Sequence, residues 1–188
     1  GKVQSTINKL SSKDLSIDDL LINQASQDLK LAMSHLSFIA HAYIWGDNAP
    51  NESIPKVLAS PWVKVAENQG RPPILSYASY CLDNWFLIDP EESISLENVG
   101  LINNFLGGVD EDWFVTIHVC IEDAAADAIA ACAEISMLDT DSPENESMDL
   151  LKRIVTSMKK VNEIFSRMPE KCDPYIYYHR VRPFIFGT

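Results

Sequence analysis

Apolar residues recur every three or four positions in two long segments, which is the period of an amphipathic α-helix. The first segment begins near Gln27 and ends near Gly46. Its apolar positions are Leu29, Met33, Leu36, Ile39, Ala40, Tyr43 and Ile44. The second begins at Ser142-Pro143-Glu144, where a cap, a first-turn proline and an acid all favour a helix start. Its apolar positions are Leu151, Ile154, Met158, Val161, Phe165 and Met168. Each segment therefore predicts a helix with one apolar face.

Shorter patterns elsewhere also favour helices. Ser16-Ile17-Asp18-Asp19 is a capping box ahead of a short helix. Pro72-Pro73 opens an apolar helix that Asp89-Pro90 closes. Ser95 caps another short helix, which Leu106-Gly107-Gly108 ends. Because no alternating strand pattern persists and no repeat is visible, the predicted fold class is all-α.

A further helix is predicted from about Trp113 to Leu138, with Asp110 as its cap. Its centre is small on almost every side, with alanine at positions 124, 125, 126, 128, 130 and 131. Such a helix is usually central and lets neighbours, or a flat ligand, approach closely. Cys120 and Cys132 lie in this apolar run, and we expect both to be reduced and buried.

Length and composition limit the kinds of protein that this chain can be. Its 188 residues are 46% hydrophobic, which suits one folded core. The net charge of -12, without a basic stripe, argues against nucleic acid as a partner. No apolar run reaches the roughly 18–20 residues of a membrane span and no basic leader opens the chain, so we expect a cytoplasmic protein. The four cysteines form no Cys-x-x-Cys pair, which argues against zinc-ribbon and redox motifs.

His118 lies midway along the apolar central helix, with Glu122 one turn further on. A histidine and a carboxylate at this spacing share a face and could bind a metal, but no second such pair appears in an apolar helix. The alternatives are a hydrogen-bonded core histidine and a histidine that lines a pocket. His35 and His41 are predicted to be partly exposed or locally hydrogen-bonded, and His179 to lie near the surface.

Arg180 and Arg182 lie among aromatic residues in the last segment, from Pro174 to Phe186. An arginine in such a setting is either a cation–π partner or a clamp for a carboxylate. The residues alone leave both roles open. They predict a polar, aromatic-rich site built from His118 and Arg182 in an α-helical domain.

Four collinear stretches resemble the indoleamine 2,3-dioxygenase family. Leu36 to Gly46 (LSFIAHAYIWG) is similar to the family's apolar-AYxWG segment. Arg71 to Pro90 (RPPILSYASYCLDNWFLIDP) is similar to its run of PPIL, YA, NW and DP motifs. Trp113 to Ile129 (WFVTIHVCIEDAAADAI) is similar to the aromatic helix that leads into E-x-AAA-x-AI. Tyr175 to Gly187 is similar to the helix that ends in R-x-x-L-x-G. Order and spacing agree across nearly the whole chain.

The resemblance implies an all-α protein that binds haem and opens the indole 2,3-bond of L-tryptophan with dioxygen. By matched position, His118 would orient the indole N–H and Arg182 would pair with the substrate carboxylate. The residues expected to line the substrate pocket are Tyr77, Tyr80, Cys81, Phe114, Tyr177 and Ile185. Residues 1–92 would form a small-domain-like helical part, and residues 93–188 the first helices of a large haem-binding domain.

The sequence also departs from the family's pattern. His118 stands where the family has a serine, as in the related tryptophan 2,3-dioxygenase, and favours a substrate with a free N–H, since an unpaired buried acceptor costs roughly 1–3 kcal/mol. Tyr177 replaces a phenylalanine, and Thr188 a tryptophan. The family's Gly-Gly-Ser-Ala-Gly loop and proximal histidine have no counterpart here, so we expect the iron ligand from a C-terminal half outside these residues. The alternatives are an oxygen-carrier-like haem protein and a non-catalytic fragment that acts as an interaction module.

Overall fold

The computed structural model describes residues 2–11, 13–18, 26–47, 49–139 and 143–185. Its helices, in chain order, are α1 (Lys2–Ile7), α2 (Ser26–Trp45), α3 (Lys56–Asn68), α4 (Val109–Ser136), α5 (Glu144–Ser166) and α6 (Pro174–Ile176). Two strands, β1 (Trp85–Leu87) and β2 (Val99–Leu101), form an antiparallel pair. Helices dominate the described chain, so the predicted all-α class is confirmed. Predicted features at Asp19, Ser142, Phe186, Gly187 and Thr188 lie outside the described residues.

α2 and α3 pack together around a first hydrophobic core. The predicted apolar face of α2 is largely buried, with Leu29, Met33, Leu36, Ala40, Tyr43 and Ile44 inside. α3 contributes Leu58, Trp62, Val65 and Ala66 to this core. α3 itself is not among the predicted helices: Pro61 lies inside it, and an interior proline disfavours a helix. α2 thus forms where its apolar period predicts it and carries one face into the core.

The segment between α3 and α4 contains strands where the sequence predicts helices. After Pro72-Pro73 the chain forms a π-helical turn, Ala78–Leu82, and then enters β1. Ser95 does not cap a helix: it is followed by a single turn, closed by Asn98 N–H donating to its carbonyl (3.0 Å), and then by β2. Both helix predictions are wrong, since a short apolar run fits a strand as well as a helix.

The buried side chain of Asn84 stabilises this strand region. Its amide group donates to the carbonyl oxygens of Tyr80 (3.0 Å) and Asn103 (2.9 Å), and its own carbonyl accepts from Asn103 N–H (2.8 Å). These bonds satisfy backbone groups that a continuing helix would have paired internally. Asn103 is 19 residues away, so local periodicity carries no sign of this partner.

α4 and α5 run antiparallel along most of their length. Near one end of the pair, Trp113 Nε1 donates to the carbonyl of Arg167 (3.0 Å). Further along, the Arg153 guanidinium pairs with the Asp127 carboxylate (2.7 Å). Both partners of this ion pair are accessible to solvent, which screens the attraction, so the pair adds little to stability. Apolar packing between the helices therefore stabilises the pair.

The first turn of α4 is not capped as predicted. The helix begins at Val109 after Gly108, and no side chain caps it. Asp110 Oδ1 instead accepts a hydrogen bond from Asp173 N–H at 2.7 Å. This bond fastens the start of α6 to α4, so the carboxylate of Asp110 serves tertiary packing.

Only the N-terminal half of α4 is central. Its buried residues there include Trp113, Val115, Ile117, Val119 and Cys120. Within the described residues 124–136, Ala128 and Ala131 alone are buried, and Ile129 is 63% exposed. The prediction of a central alanine run is therefore wrong for this chain, because α5 covers only one side of the run and the other side is exposed. Across the described ranges, no helix combines the length and apolar character that crossing a membrane requires.

Candidate functional site

Side chains from three parts of the chain meet in one group of rings. We call Tyr77, Tyr80, Phe114, His118 and Tyr177 the aromatic cluster. The ring centroid of Phe114 lies 4.0 Å from that of Tyr177 and 4.2 Å from that of His118. Tyr77 lies 5.9 Å from His118, and Tyr80 lies 6.4 Å from Phe114. The structure thus brings together five of the residues that the sequence predicts for the site.

His118 is held by its own helix. Its Nδ1 lies 2.7 Å from the carbonyl oxygen of Phe114, one turn earlier on α4. Because a carbonyl only accepts, Nδ1 carries a proton, so Nε2 is the acceptor in the corresponding neutral tautomer. The predicted alternative of a metal-binding pair with Glu122 lacks support: no group of three or more histidine, cysteine or carboxylate side chains in the described chain could hold a metal ion.

The three phenols of the aromatic cluster act as hydrogen-bond donors or neutral partners. Tyr77 donates from its hydroxyl to the Glu122 carboxylate at 2.9 Å. The hydroxyls of Tyr80 and Tyr177 lie 3.5 Å apart. Burial raises the pKa of all three phenols above the ordinary value of 10.0, and the bond to Glu122 adds to the rise for Tyr77. None of them is a phenolate near neutral pH.

Cys81 is fully buried in the same core as Tyr80. Burial, and then the charge of Glu122, raises the pKa of its thiol to about 12. A neutral thiol is a poor nucleophile, and the pocket-lining role of Cys81 stays a prediction. Ile185 packs, half-buried, against the same core as Cys81. Cys120 is buried as the sequence predicts, but Cys132 is exposed, so its predicted burial is wrong.

Arg182 contacts Tyr178, which is not a member of the aromatic cluster. Its side chain is exposed, and its guanidinium carbon lies 4.9 Å from the ring centroid of Tyr178. Among the described residues, no hydrogen bond, ion pair or ring contact joins it to His118. Of the two roles that the sequence leaves open, the cation–π contact is present in this chain. The carboxylate clamp stays a prediction.

A polar seam on α2 positions the segment that carries Tyr77. Ser34 donates from its hydroxyl to the carbonyl of Ser79 (2.9 Å), and Ser37 donates to the carbonyl of Ile74 (3.4 Å). Both serines are fully buried on the helix face that packs against residues 74–79. Sequence reasoning missed them, although two serines three positions apart on an apolar helix are a recognisable signal, since buried hydroxyls need partners.

For the remaining histidines, the predicted exposure and hydrogen bonding agree with the structure to different degrees. His179 is exposed, as predicted. His35 is half-buried, as predicted, but its Nδ1 bonds Asn103 Oδ1 (2.7 Å), which is 68 residues away. His41 is buried and bonds only distant partners, so the prediction of exposure or a local hydrogen bond is wrong for it. Tertiary contacts decide both environments.

Glu111, in the first turn of α4, binds the backbone of the loop that precedes this helix. The sequence pattern does not predict this role. The buried carboxylate of Glu111 accepts hydrogen bonds from the backbone N–H groups of Phe105 and Leu106, each at 3.0 Å. The hydroxyl of Tyr80 donates to the same carboxylate at 3.4 Å. Burial raises the pKa of Glu111, and the two backbone donors oppose that rise. The carboxylate therefore connects the loop to the aromatic cluster.

The fold and site define an all-α protein with a histidine at the edge of a stacked aromatic cluster. A protein-family model described as indoleamine 2,3-dioxygenase matches residues 1–188. Indoleamine 2,3-dioxygenase from Saccharomyces cerevisiae is 31% identical over 99% of this chain, and 42% of that relative is covered. Indoleamine 2,3-dioxygenase 1 from Mus musculus is 32% identical over 100% of this chain, and 45% of that relative is covered.

These matches extend along the whole chain. The chain therefore belongs to the indoleamine 2,3-dioxygenase family. It spans less than half the length of these two relatives.

Proposed function

We propose that the complete protein is a haem-dependent dioxygenase that opens the indole 2,3-bond of L-tryptophan or a related indole, forming an N-formylkynurenine. One observation carries the proposal. His118 uses Nδ1 to bond the carbonyl of Phe114, which leaves Nε2 as an acceptor beside the stacked rings of Phe114 and Tyr177. Stacked rings suit a flat indole, and a neutral acceptor suits the indole N–H. Membership of the family supports the reaction class.

Arg182 is proposed to bind the substrate carboxylate. Its guanidinium lies on the ring of Tyr178 in an exposed position. An exposed cation–π contact contributes about 0.5–1 kcal/mol, whereas a hydrogen bond to a charged group contributes about 1.5–3 kcal/mol. A carboxylate would therefore draw the guanidinium from Tyr178, and Ile185 on the next turn would contact the apolar part of the substrate.

Three of the four histidines of this chain, His35, His41 and His118, fit the substrate side of a haem pocket better than the iron side, because each is hydrogen-bonded within the chain. His41 is buried with both ring nitrogens bonded, and His35 bonds Asn103. His118 is held against its own helix among aromatic rings. The half-exposed alanine run of α4 offers a flat apolar surface on the same helix as His118. Haem, when bound, would supply the activation of dioxygen, and a histidine outside these residues would bind its iron.

The rest of the longer polypeptide is proposed to cover an apolar surface of α4 and α5. We call this surface, formed by Ile129, Met137, Met148, Leu151, Val155, Met158 and Phe165, the open helix face. Met137 is 84% exposed and Phe165 is 55% exposed. Apolar positions that recur along one side of a helix normally face another element. The two relatives named above are more than twice as long as the part matched here, which supplies a candidate occupant.

Turnover by the complete, haem-loaded protein tests the proposed reaction. We expect ring-cleaved product from L-tryptophan and a kcat/KM about 5- to 150-fold lower for 1-methyltryptophan, because the methyl group removes a hydrogen bond worth roughly 1–3 kcal/mol. His118→Leu should abolish this preference. Stable dioxygen binding without ring-cleaved product would contradict the proposal and favour the oxygen-carrier alternative.

The role of Arg182 has a separate test. Arg182→Ala should raise the KM for L-tryptophan at least tenfold, because a charge-assisted pair is lost. Tryptamine, which has no carboxylate, should be affected much less. Unchanged kinetics with L-tryptophan would remove the carboxylate clamp from the mechanism.

A further inference from the structure

His41 bonds two distant parts of the chain through one ring. It lies on α2 with 2% of its surface exposed. Its Nδ1 is 2.8 Å from the carbonyl oxygen of Phe184, 143 residues away, and Leu75 N–H donates to its Nε2 at 3.2 Å, 34 residues away. A carbonyl only accepts and an amide N–H only donates. The ring is therefore neutral, with its proton on Nδ1.

The two partners of His41 flank candidate site residues. Leu75 comes two positions before Tyr77, which belongs to the aromatic cluster. Phe184 lies in the 3-10 turn Arg182–Ile185, which carries the proposed carboxylate ligand. One imidazole thus joins the segment on the indole side of the site to the turn on the carboxylate side.

The orientation of the His41 ring is itself held. The ring of Trp62 meets it edge-on, with centroids 6.4 Å apart and planes inclined by 84°. Trp62 cannot turn freely, because its Nε1 donates to the Ser37 hydroxyl at 3.0 Å. Phe184 is held on its other side by a ring stack with Phe105 at 4.9 Å. The imidazole ring and the Phe184 end of the bridge are therefore both held in place.

We propose that His41 is a positioning residue that sets the separation between Tyr77 and the Arg182–Ile185 turn. An apolar residue could fill the same space, but it would remove the hydrogen-bond partner of the partly buried Leu75 N–H and of the partly buried Phe184 carbonyl. Glutamine could satisfy both, because its amide group donates and its carbonyl accepts. The inference rests on the proposed function only for its effect on substrate binding, and the bridge itself is testable without turnover.

Nitrogen-15 NMR of the histidine-labelled chain tests the bridge. We expect one buried histidine, assigned by its loss in His41→Gln, to carry its proton on Nδ1 and to leave Nε2 unprotonated. The amide of Leu75 should exchange slowly with solvent in the wild type and in His41→Gln, and at least tenfold faster in His41→Leu. A proton on Nε2 of His41, or equal exchange of the Leu75 amide in all three proteins, would overturn the proposal.

Kinetics of the complete, haem-loaded protein test the positioning role. His41→Leu should raise the KM for L-tryptophan about tenfold with little change in kcat, and should change the KM for tryptamine less than threefold. His41→Gln should restore the KM for L-tryptophan. His35→Leu is the matched control, since His35 lies on the same helix but its imidazole bonds Asn103, which belongs to neither bridged segment.

The outcomes separate the two proposals. An equal rise in KM for both substrates in His41→Leu, or a rise of the same size in His35→Leu, would show a general structural defect and overturn the positioning role. If the wild type forms no ring-cleaved product, the proposed function fails, and the tautomer and exchange measurements still decide whether the bridge exists.

Discussion

The ring of Phe114 stacks on the ring of Tyr177, with centroids 4.0 Å apart and planes inclined by 20°. This stack joins α4 to the π-helical turn Tyr177–Val181. The hydroxyl of Tyr177 also lies 3.5 Å from the hydroxyl of Tyr80, which belongs to the π-helical turn before β1. One tyrosine therefore contacts both other elements of the aromatic cluster, so its ring and its hydroxyl can be tested separately.

Truncating Tyr177 should destabilise the fold through loss of the ring. We expect Tyr177→Ala to lower the free energy of unfolding by about 2–3 kcal/mol, because a half-buried stacked ring is removed. Tyr177→Phe keeps the ring and should change the free energy of unfolding by less than about 1 kcal/mol. Urea unfolding of the chain measures both. Equal losses in the two variants would show that the hydroxyl, and not the stack, stabilises the site.

Neutralising Glu111 should loosen the loop that precedes α4. Glu111→Gln replaces an accepting oxygen with an NH₂ group facing the backbone donors of Phe105 and Leu106, so we expect a loss of roughly 1–3 kcal/mol in the free energy of unfolding. Asp123→Asn is the control, because Asp123 is exposed on the same helix and should stay within about 0.5 kcal/mol of the wild type. A loss of similar size in both variants would mean that net charge, and not the buried contact, is responsible.

His41 should make stability depend on pH. Burial lowers the pKa of His41 below its ordinary value of 6.5, and the bond to Phe184 partly opposes this. The unfolded chain therefore binds a proton at higher pH than the folded protein does. The contribution of the neutral ring is fully present above pH 6.5 and is lost as the pH falls toward the folded pKa.

The corresponding measurement is urea unfolding at several pH values. Between about pH 7.5 and about pH 5.5, the midpoint should fall further for the wild type than for His41→Gln, which has no group titrating at this position. Parallel curves for the two proteins would show that His41 does not titrate differently on folding.

Thiol reactivity should distinguish Cys132 from the other cysteines. Cys132 is exposed, whereas Cys81, Cys120 and Cys172 are buried. Burial also raises the pKa of Cys81 to about 12 and that of Cys120 to about 11. A disulfide reagent such as DTNB should modify one thiol per folded chain rapidly, and Cys132→Ser should abolish this rapid phase. A second rapid thiol would contradict the described burial.

The open helix face should be protected in a longer polypeptide. Met137 and Met158 are exposed in this chain, and Met33 is fully buried in the first core. Under hydroxyl-radical footprinting, we expect Met137 and Met158 to be oxidised in the 188-residue chain and protected in the complete protein. Met33 is the internal control and should stay protected in both. Equal oxidation of Met137 and Met158 in the two samples would show that this face stays open.

The spacing of apolar residues predicts the long helices because a helix is formed by residues that are neighbours along the chain. Apolar residues at helical spacing are enough to predict α2 and α5, and the match of residues to the family's motifs is enough to predict the members of the aromatic cluster. Local pattern fails between residues 72 and 101. There a short apolar run suits a helix or a strand equally well. In the folded chain, the buried amide of Asn84 stabilises the strand region by donating to the carbonyls of Tyr80 and Asn103.

What only the tertiary structure decides is the partner of each polar side chain. The sequence places His41 on the apolar helix α2, but a carbonyl 143 residues away makes it a buried bridge. It places Arg182 among aromatic residues, and the folded chain puts the guanidinium on the ring of Tyr178. Helices form from neighbours along the chain, whereas buried hydrogen bonds join groups that only folding brings together.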